Sequence, residues 1–127
     1  MTINGNRKGA AAERELSALL ADALGVEVKR NTDPAKKTTG DILCIPGYAV
    51  ECKRVEVLRR NAWWSQAVKQ AAIHGVEPIV FYRRNRQPWR ALVTSQGGFA
   101  DVHWTAAMDA MRDKLARLYG LYSVRAA

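Results

Sequence analysis

Residues 40–53 read GDILCIPGYAVECK, and this stretch decides the fold. Two short apolar runs, Asp41 to Ile45 and Ala49 to Lys53, flank Pro46-Gly47-Tyr48, which predicts a β-hairpin. Asp41, Glu51 and Lys53 stand where core strands want apolar residues. Carboxylates at the ends of buried strands are costly unless they are paired or bound to metal. The register decides whether they meet. A two-residue loop, Pro46-Gly47, would turn Asp41 away from Glu51 and Lys53, because a slip of one residue flips the face. A three-residue loop pairs Ile45 with Ala49 and Asp41 with Lys53. Asp41, Glu51 and Lys53 then share one face, and Ile42, Cys44, Val50 and Cys52 share the other. The second register, or a bulge with the same effect, is the expectation. Two converging carboxylates make a hard-oxygen site suited to Mg²⁺. Lys53 projects to the same face as Glu51, where it can hold an attacking water or stabilise negative charge developing on phosphorus.

Upstream, Leu16, Leu19, Leu20, Ala23 and Leu24 recur at helical spacing, predicting a helix from about Lys8 to Leu24 that Gly25 stops. Residues 1–6 read as a flexible lead. Glu13 lies about 60° round the helix from Leu16, on the border of the apolar stripe. A carboxylate there can look into a sheet-edge site, or serve as a first-turn acid favoured by the helix dipole. Val26 and Val28 suggest a short strand, and residues 31–39, NTDPAKKTT, a polar loop with two lysines.

Downstream, residues 61–74 predict a second helix with Asn61 as N-cap and Gly75 as stop. Residues 78–82 form a continuous apolar strand. Arg83 to Pro88 is a basic turn, Trp89 to Val93 its partner strand, and Gln96-Gly97-Gly98 a loop. A last helix runs from Thr105 to Tyr119, with Trp104, Met108, Met111, Leu115 and Leu118 at helical spacing. The fold class is α/β: a central mixed sheet flanked by helices, with a right-handed parallel crossover through the second helix.

The chain has 127 residues, one domain's worth, and 48% of them are apolar, which excludes a disordered tail. No apolar run is long enough to span a membrane, and the N-terminus lacks a secretory pattern, so no membrane partner is expected. The formal charge is +8, which points to a polyanion. Nine basic residues between Lys53 and Arg90 face two acids, giving that stretch +7, while the remainder carries +1. Arginine dominates, and it suits bidentate phosphate contacts. Cys44 and Cys52 lack metal spacing and read as small buried hydrophobes in a reducing, cytoplasmic setting. Trp89 and Trp104 sit at core-patterned positions. Trp63 and Trp64 are adjacent on one helix, so one of them is expected at a dimer surface or stacked near DNA. His74 and His103 read as surface or cap residues.

Residues 7–16, RKGAAAEREL, together with Gly40-Asp41 and Val50-Glu51-Cys52-Lys53, resemble the archaeal-type Holliday-junction resolvases of the PD-(D/E)xK, or restriction-endonuclease-like, nuclease superfamily. The likeness covers roughly residues 7–93. It implies a homodimeric, Mg²⁺-dependent endodeoxyribonuclease that cuts four-way DNA junctions, with Mn²⁺ able to substitute. Asp41 and Glu51 match the metal-binding carboxylates, Lys53 the superfamily lysine, and Glu13 the additional acid of the first helix, so Glu13 joins both the catalytic and the metal set. Arg7, Lys8 and Arg14 match N-terminal basic residues that contact DNA, and Arg30 a basic residue before the catalytic strand. Gly40 replaces the proline of the superfamily name. Gln66 or Lys69 could reach the site from the second helix. Arg54, Arg59, Arg60, Lys69, Arg83, Arg84 and Arg86, with Arg90 beside them, are the further expected DNA contacts. Two alternatives stand beside this reading: another nuclease of the superfamily acting on duplex or flap DNA, and a non-catalytic DNA-binding module. The compact form is compatible with a phage source, and residues 1–127 read as a single nuclease domain.

Overall fold

The hairpin of residues 40–53 is the junction between a narrow and a wide part of one sheet. The computed structural model describes residues 2–120, with side chains from Gly9 onward. Six strands lie in sequence order: β1 (Lys29–Arg30), β2 (Ile42–Leu43), β3 (Tyr48–Arg54), β4 (Glu77–Arg83), β5 (Arg90–Ser95) and β6 (Gly98–His103). Only β3 and β4 are parallel, joined through helix α2 (Arg60–His74); every other neighbour pair is antiparallel. Helices α1 (Thr2–Leu24) and α3 (Trp104–Tyr119) complete the chain. The mixed sheet with flanking helices agrees with the sequence reading.

Alternation along the strands builds two cores. Val50, Ile79, Phe81 and Ala91 face α1 and α3, where Leu16, Leu20, Leu24, Met108, Met111 and Leu115 are buried. Val80, Tyr82 and Leu92 face α2 and its Trp63, Trp64 and Ala67. A helix with its apolar stripe on a sheet face hides it from water, at about 25 cal/mol per Å². Lys114 of α3 fastens the hairpin: its Nζ donates to Gly47 O at 3.0 Å and Glu77 Oε1 at 2.9 Å, and stands 4.1 Å from the centre of the Tyr48 ring. Helix α3 is therefore core cover as far as Leu115, but Leu118, expected in its stripe, is exposed.

The hairpin register differs in detail from expectation. Ile42 pairs with Val50, which sets Asp41 opposite Glu51 rather than Lys53. Pro46-Gly47 does form a two-residue turn, closed by Tyr48 N–H donating to Ile45 O at 3.3 Å. Gly47 has φ +78°, as the turn requires. Cys44, at φ +74°, is the extra residue. It bulges out of the strand and restores the parity that a plain two-residue loop would have reversed. This also explains why Cys44 is exposed instead of buried with Ile42.

Other expectations shift. Helix α1 begins at Thr2, since nothing before Lys8 forbids helix and turns add readily to an existing nucleus. The first strand lies at Lys29–Arg30, with Val26 and Val28 packing on the core before it. Pro34–Thr39 winds into a 3-10 helix. Asn61 is inside α2, whose N-cap is Arg59 with no side-chain cap bond. Strand β6 begins at Gly98 of the expected loop and runs through residues 99–103, for which the sequence predicts no element. It follows a two-residue turn at Gln96-Gly97, and Phe99, Asp101 and His103 alternate along it. That omission misplaced a tryptophan. Trp63 and Trp64 are both buried, at 8% and 9% exposure. Trp63 packs on Tyr82 with centroids 5.5 Å apart, and Trp64 on Phe99 of β6 at 5.6 Å, so the wider sheet receives both.

Candidate active site

Gly40 sets the position of Asp41. Its φ is +100°, and a Cβ there would lie 2.7 Å from Val50 O and 2.9 Å from Val50 N, so only glycine lets the loop come this close to β3. The chain then crosses β3 with Asp41 N–H donating to Val50 O at 2.7 Å and Glu51 Oε2 at 3.1 Å. In return Asp41 Oδ2 accepts the Cys52 N–H at 2.8 Å. Glu51 is the one buried charged residue among the described residues, at 8% exposure. Lys53, two residues on, shares its face of β3.

Burial raises all three carboxyls of the expected site. Glu51 is pushed up to about 7, first by burial and then by the charge of Asp41, with Lys53 and the Asp41 amide opposing. Asp41 is raised by burial against the pull of the Cys52 amide and Lys53. Glu13 is raised by burial, and by Asp41, against Arg30. Arg30 of β1 donates to Glu13 Oε1 from Nε at 3.2 Å and from Nη2 at 3.1 Å. Among the described residues, no three His, Cys, Asp or Glu side chains are grouped to hold an ion. Asp41 and Glu51 nevertheless fit a divalent cation: they are hard oxygen donors, mutually repelling, one half-buried and the other buried, and each uses one oxygen on a backbone N–H. Glu13 is engaged by Arg30 while its charge still acts on both carboxyls.

Residues 4–117 match the family described as "Phage putative PDDEXK endonuclease". The chain belongs to this PDDEXK endonuclease family. Such nucleases use divalent metal ions. No curated protein matches the sequence. Among solved structures, Hjc, a Holliday junction resolvase from the archaeal hyperthermophile Archaeoglobus fulgidus, is similar at 24% identity and a TM-score of 0.47, over 73% of this chain and 85% of that chain.

The basic residues expected to meet DNA divide into two groups in this PDDEXK nuclease. Several are engaged internally. Arg30 holds Glu13, Arg54 donates to Glu56 and Asn85, and Arg83 donates to Glu15 and to Gln87 O. Arg60 and Arg90 both bind Asp101, at 2.7 and 2.8 Å. Arg14, Arg59, Lys69, Arg84 and Arg86 are exposed. The side chains of Arg7 and Lys8 lie outside the described residues. Gln66 and Lys69 point to solvent; the polar residue that α2 turns inward is Gln70, whose Oε1 is buried without a partner. His74 is exposed and His103 caps α3, as read from the sequence.

Three residues of this PDDEXK chain carry more than their sequence suggested. Asp101 organises two arginines and accepts the Tyr82 hydroxyl at 2.5 Å. Its carboxyl feels burial upward, yet the Tyr82, Arg60 and Arg90 hydrogen bonds hold it below the usual value. Glu15 accepts Trp89 Nε1–H at 2.6 Å across the α1 face. Arg30 is the partner of Glu13 rather than a free cation. These contacts join residues far apart in the chain, and no spacing rule reports them; only the alternation of Phe99, Asp101 and His103 was there to be read.

Proposed function

We propose that this chain is a Mg²⁺-dependent endodeoxyribonuclease that resolves four-way DNA junctions as a homodimer. The observation that carries the nuclease chemistry is the meeting of Asp41 and Glu51 across β2 and β3, with Lys53 on the same face as Glu51. Asp41 and Glu51 would hold the ion, and Glu13 would join them on leaving Arg30. When bound, the ion neutralises charge on the phosphodiester as a Lewis acid. Lys53 orients the attacking water and faces the charge that develops on phosphorus. The two backbone N–H bonds fix the carboxylates in place before substrate arrives, so little reorganisation accompanies reaction. Exposed Arg14, Arg59, Lys69, Arg84 and Arg86 supply phosphate contacts that follow shape rather than sequence.

The junction preference is supported by the RKGxxxERE pattern of residues 7–15 lying upstream of Asp41 and Glu51. Each chain carries one carboxylate pair, and paired incisions across a two-fold junction call for two chains related by the same symmetry. The test is a nicking assay with Mg²⁺ on a four-way junction and on linear duplex. Wild type should cut the junction in preference. Asp41→Asn and Glu51→Gln should bind it without cutting; incision that survives in both refutes the assignment.

A further inference from the structure

We infer that Lys37 and the loop carrying it form a phosphate subsite beside Asp41, gripping the DNA strand next to the bond that is cut. The inference rests on the nuclease reading above and goes further, because it assigns the loop a contact that none of the expected residues makes.

The loop between β1 and β2 is built, not slack. Asn31 N–H donates to Asp41 O at 2.8 Å, so the loop's first residue is tied to the candidate catalytic residue itself. The Asn31 side-chain amide donates to Lys36 O at 2.7 Å and Gly40 O at 2.8 Å, with Thr39 Oγ1 at 3.2 Å. Asp33 caps the 3-10 helix by accepting from Ala35 N–H at 2.9 Å. Thr38 Oγ1 lies 3.1 Å from His74 Nε2 and links the loop to the end of α2. A loop held at both ends and across its middle presents its side chains in a fixed place, which is what a binding contact needs.

Within this loop, reaching Asp41 at its end, lies an open cleft of about 220 Å³, lined by Thr32, Asp33, Lys37 and Asp41 among others. It is smaller than the roughly 300 Å³ at which small-molecule pockets begin, and fits a segment of chain passing through. Asp33 already uses an oxygen on Ala35 N–H. Lys37 is exposed, and no hydrogen bond or ion pair engages it among the described residues. The arginines nearer the sheet, by contrast, are bound to Glu13, Glu15, Glu56 and Asp101. Lys37 is thus a cation lining the same cleft as the candidate metal-binding carboxylate. A strand whose scissile phosphate reaches Asp41 passes Lys37 with a neighbouring phosphate. The Lys36 carbonyl is held by Asn31 and Thr39, and its side chain does not line the cleft, so Lys36 is an internal control of equal charge.

The experiment uses four-way junctions in which single phosphates flanking the cut are replaced in turn by neutral methylphosphonates. Incision is measured for wild type, Lys37→Ala, Lys37→Arg and Lys36→Ala. At one flanking position the neutral linkage should slow wild type about tenfold, the worth of one charge-assisted contact. The same linkage should leave Lys37→Ala no slower than it already is, while Lys37→Arg and Lys36→Ala respond as wild type does. A wild type indifferent to every flanking phosphate, or a Lys37→Ala that keeps the full wild-type response, overturns the subsite. Absence of Asp41-dependent cutting of the unmodified junction by wild type overturns the nuclease reading itself, and the subsite with it. The two failures are therefore told apart before any Lys37 variant is compared.

Discussion

Asp41 and Glu51 are bound through each other's strand: the Asp41 N–H donates to Glu51 Oε2 at 3.1 Å, and Asp41 Oδ2 accepts the N–H of Cys52 at 2.8 Å. The pair is consequently fixed by main chain, and its electrostatic cost is not relieved by swinging apart. Among the described residues Lys53 is the one cation opposing that cost for both carboxyls, and Glu51 still rises to about 7.

That cost gives a pH signature. Glu51 titrates near 7 folded and near 4.5 in its ordinary state. Between those values the folded chain holds the extra proton, so stability is full at low pH and is lost as pH rises through 7. In metal chelator, Glu51→Gln should match wild type near pH 4.5 and exceed it by about 1–3 kcal/mol at pH 8. Urea unfolding across pH measures this. A difference that stays constant with pH would contradict it.

A divalent cation should reverse the penalty. Mg²⁺ added at a hundredfold excess over its Kd would stabilise the folded chain by about 2.7 kcal/mol. The effect should grow from pH 6 to pH 8, because the ligands must lose their protons first. Asp41→Asn and Glu51→Gln should each abolish most of the thermal shift. Equal shifts in wild type and both variants would place the ion elsewhere.

Gly40 is the geometric hinge of the pair. Gly40→Ala puts a methyl 2.7 Å from Val50 O, on backbone that cannot move aside, at a φ of +100°. The strained conformation alone costs on the order of 1–3 kcal/mol. We expect a matching loss in unfolding free energy, together with loss of the Mg²⁺-induced thermal shift, since Asp41 follows Gly40 directly. A fully stable variant with an intact shift would show that the loop has another way past β3.

The sharing of one face by Asp41, Glu51 and Lys53 was legible because side-chain parity along a hairpin takes only two values. The true partner of Asp41 was not, because it depends on one left-handed residue, Cys44, and nothing about a cysteine announces φ +74°. The stripe of Leu16, Leu20 and Leu24 was legible from its spacing, and Gly75 from its place after an apolar run, where it takes φ +64°. Strand β6 hid behind the Gln96-Gly97 turn, and with it went the floor beneath Trp64. The pairing of the charges is not legible for a different reason: +8 counts cations without showing which are already paired, and Arg60 and Arg90 meet one acid, Asp101, through tertiary contact alone.

Trp64 tests that second layer. With Phe99 beneath it, Trp64→Ala should cost about 3–5 kcal/mol in denaturant unfolding, the usual toll of emptying a buried aromatic site. A change near zero would restore the expectation that one of the two adjacent tryptophans faces a dimer surface or DNA, and make it Trp64.

Asp101 links the sheet edge to the DNA question. Its carboxylate accepts from Tyr82, Arg60 and Arg90, which together hold it below the ordinary value despite burial. A depressed carboxyl contributes stability above its unfolded value near 3.8 and loses that contribution as pH falls through the folded one. Asp101→Asn should therefore weaken the fold by about 1.5–3 kcal/mol at pH 7, and the deficit should shrink in acid. The substitution also releases Arg60 and Arg90 from their acid. If both turn to phosphates, the slope of log affinity for DNA against log salt should steepen by about 1–2. A less stable protein with an unchanged salt slope would mean the two arginines serve the sheet alone, leaving Arg14, Arg59, Lys69, Arg84 and Arg86 as the exposed cations that grip the substrate.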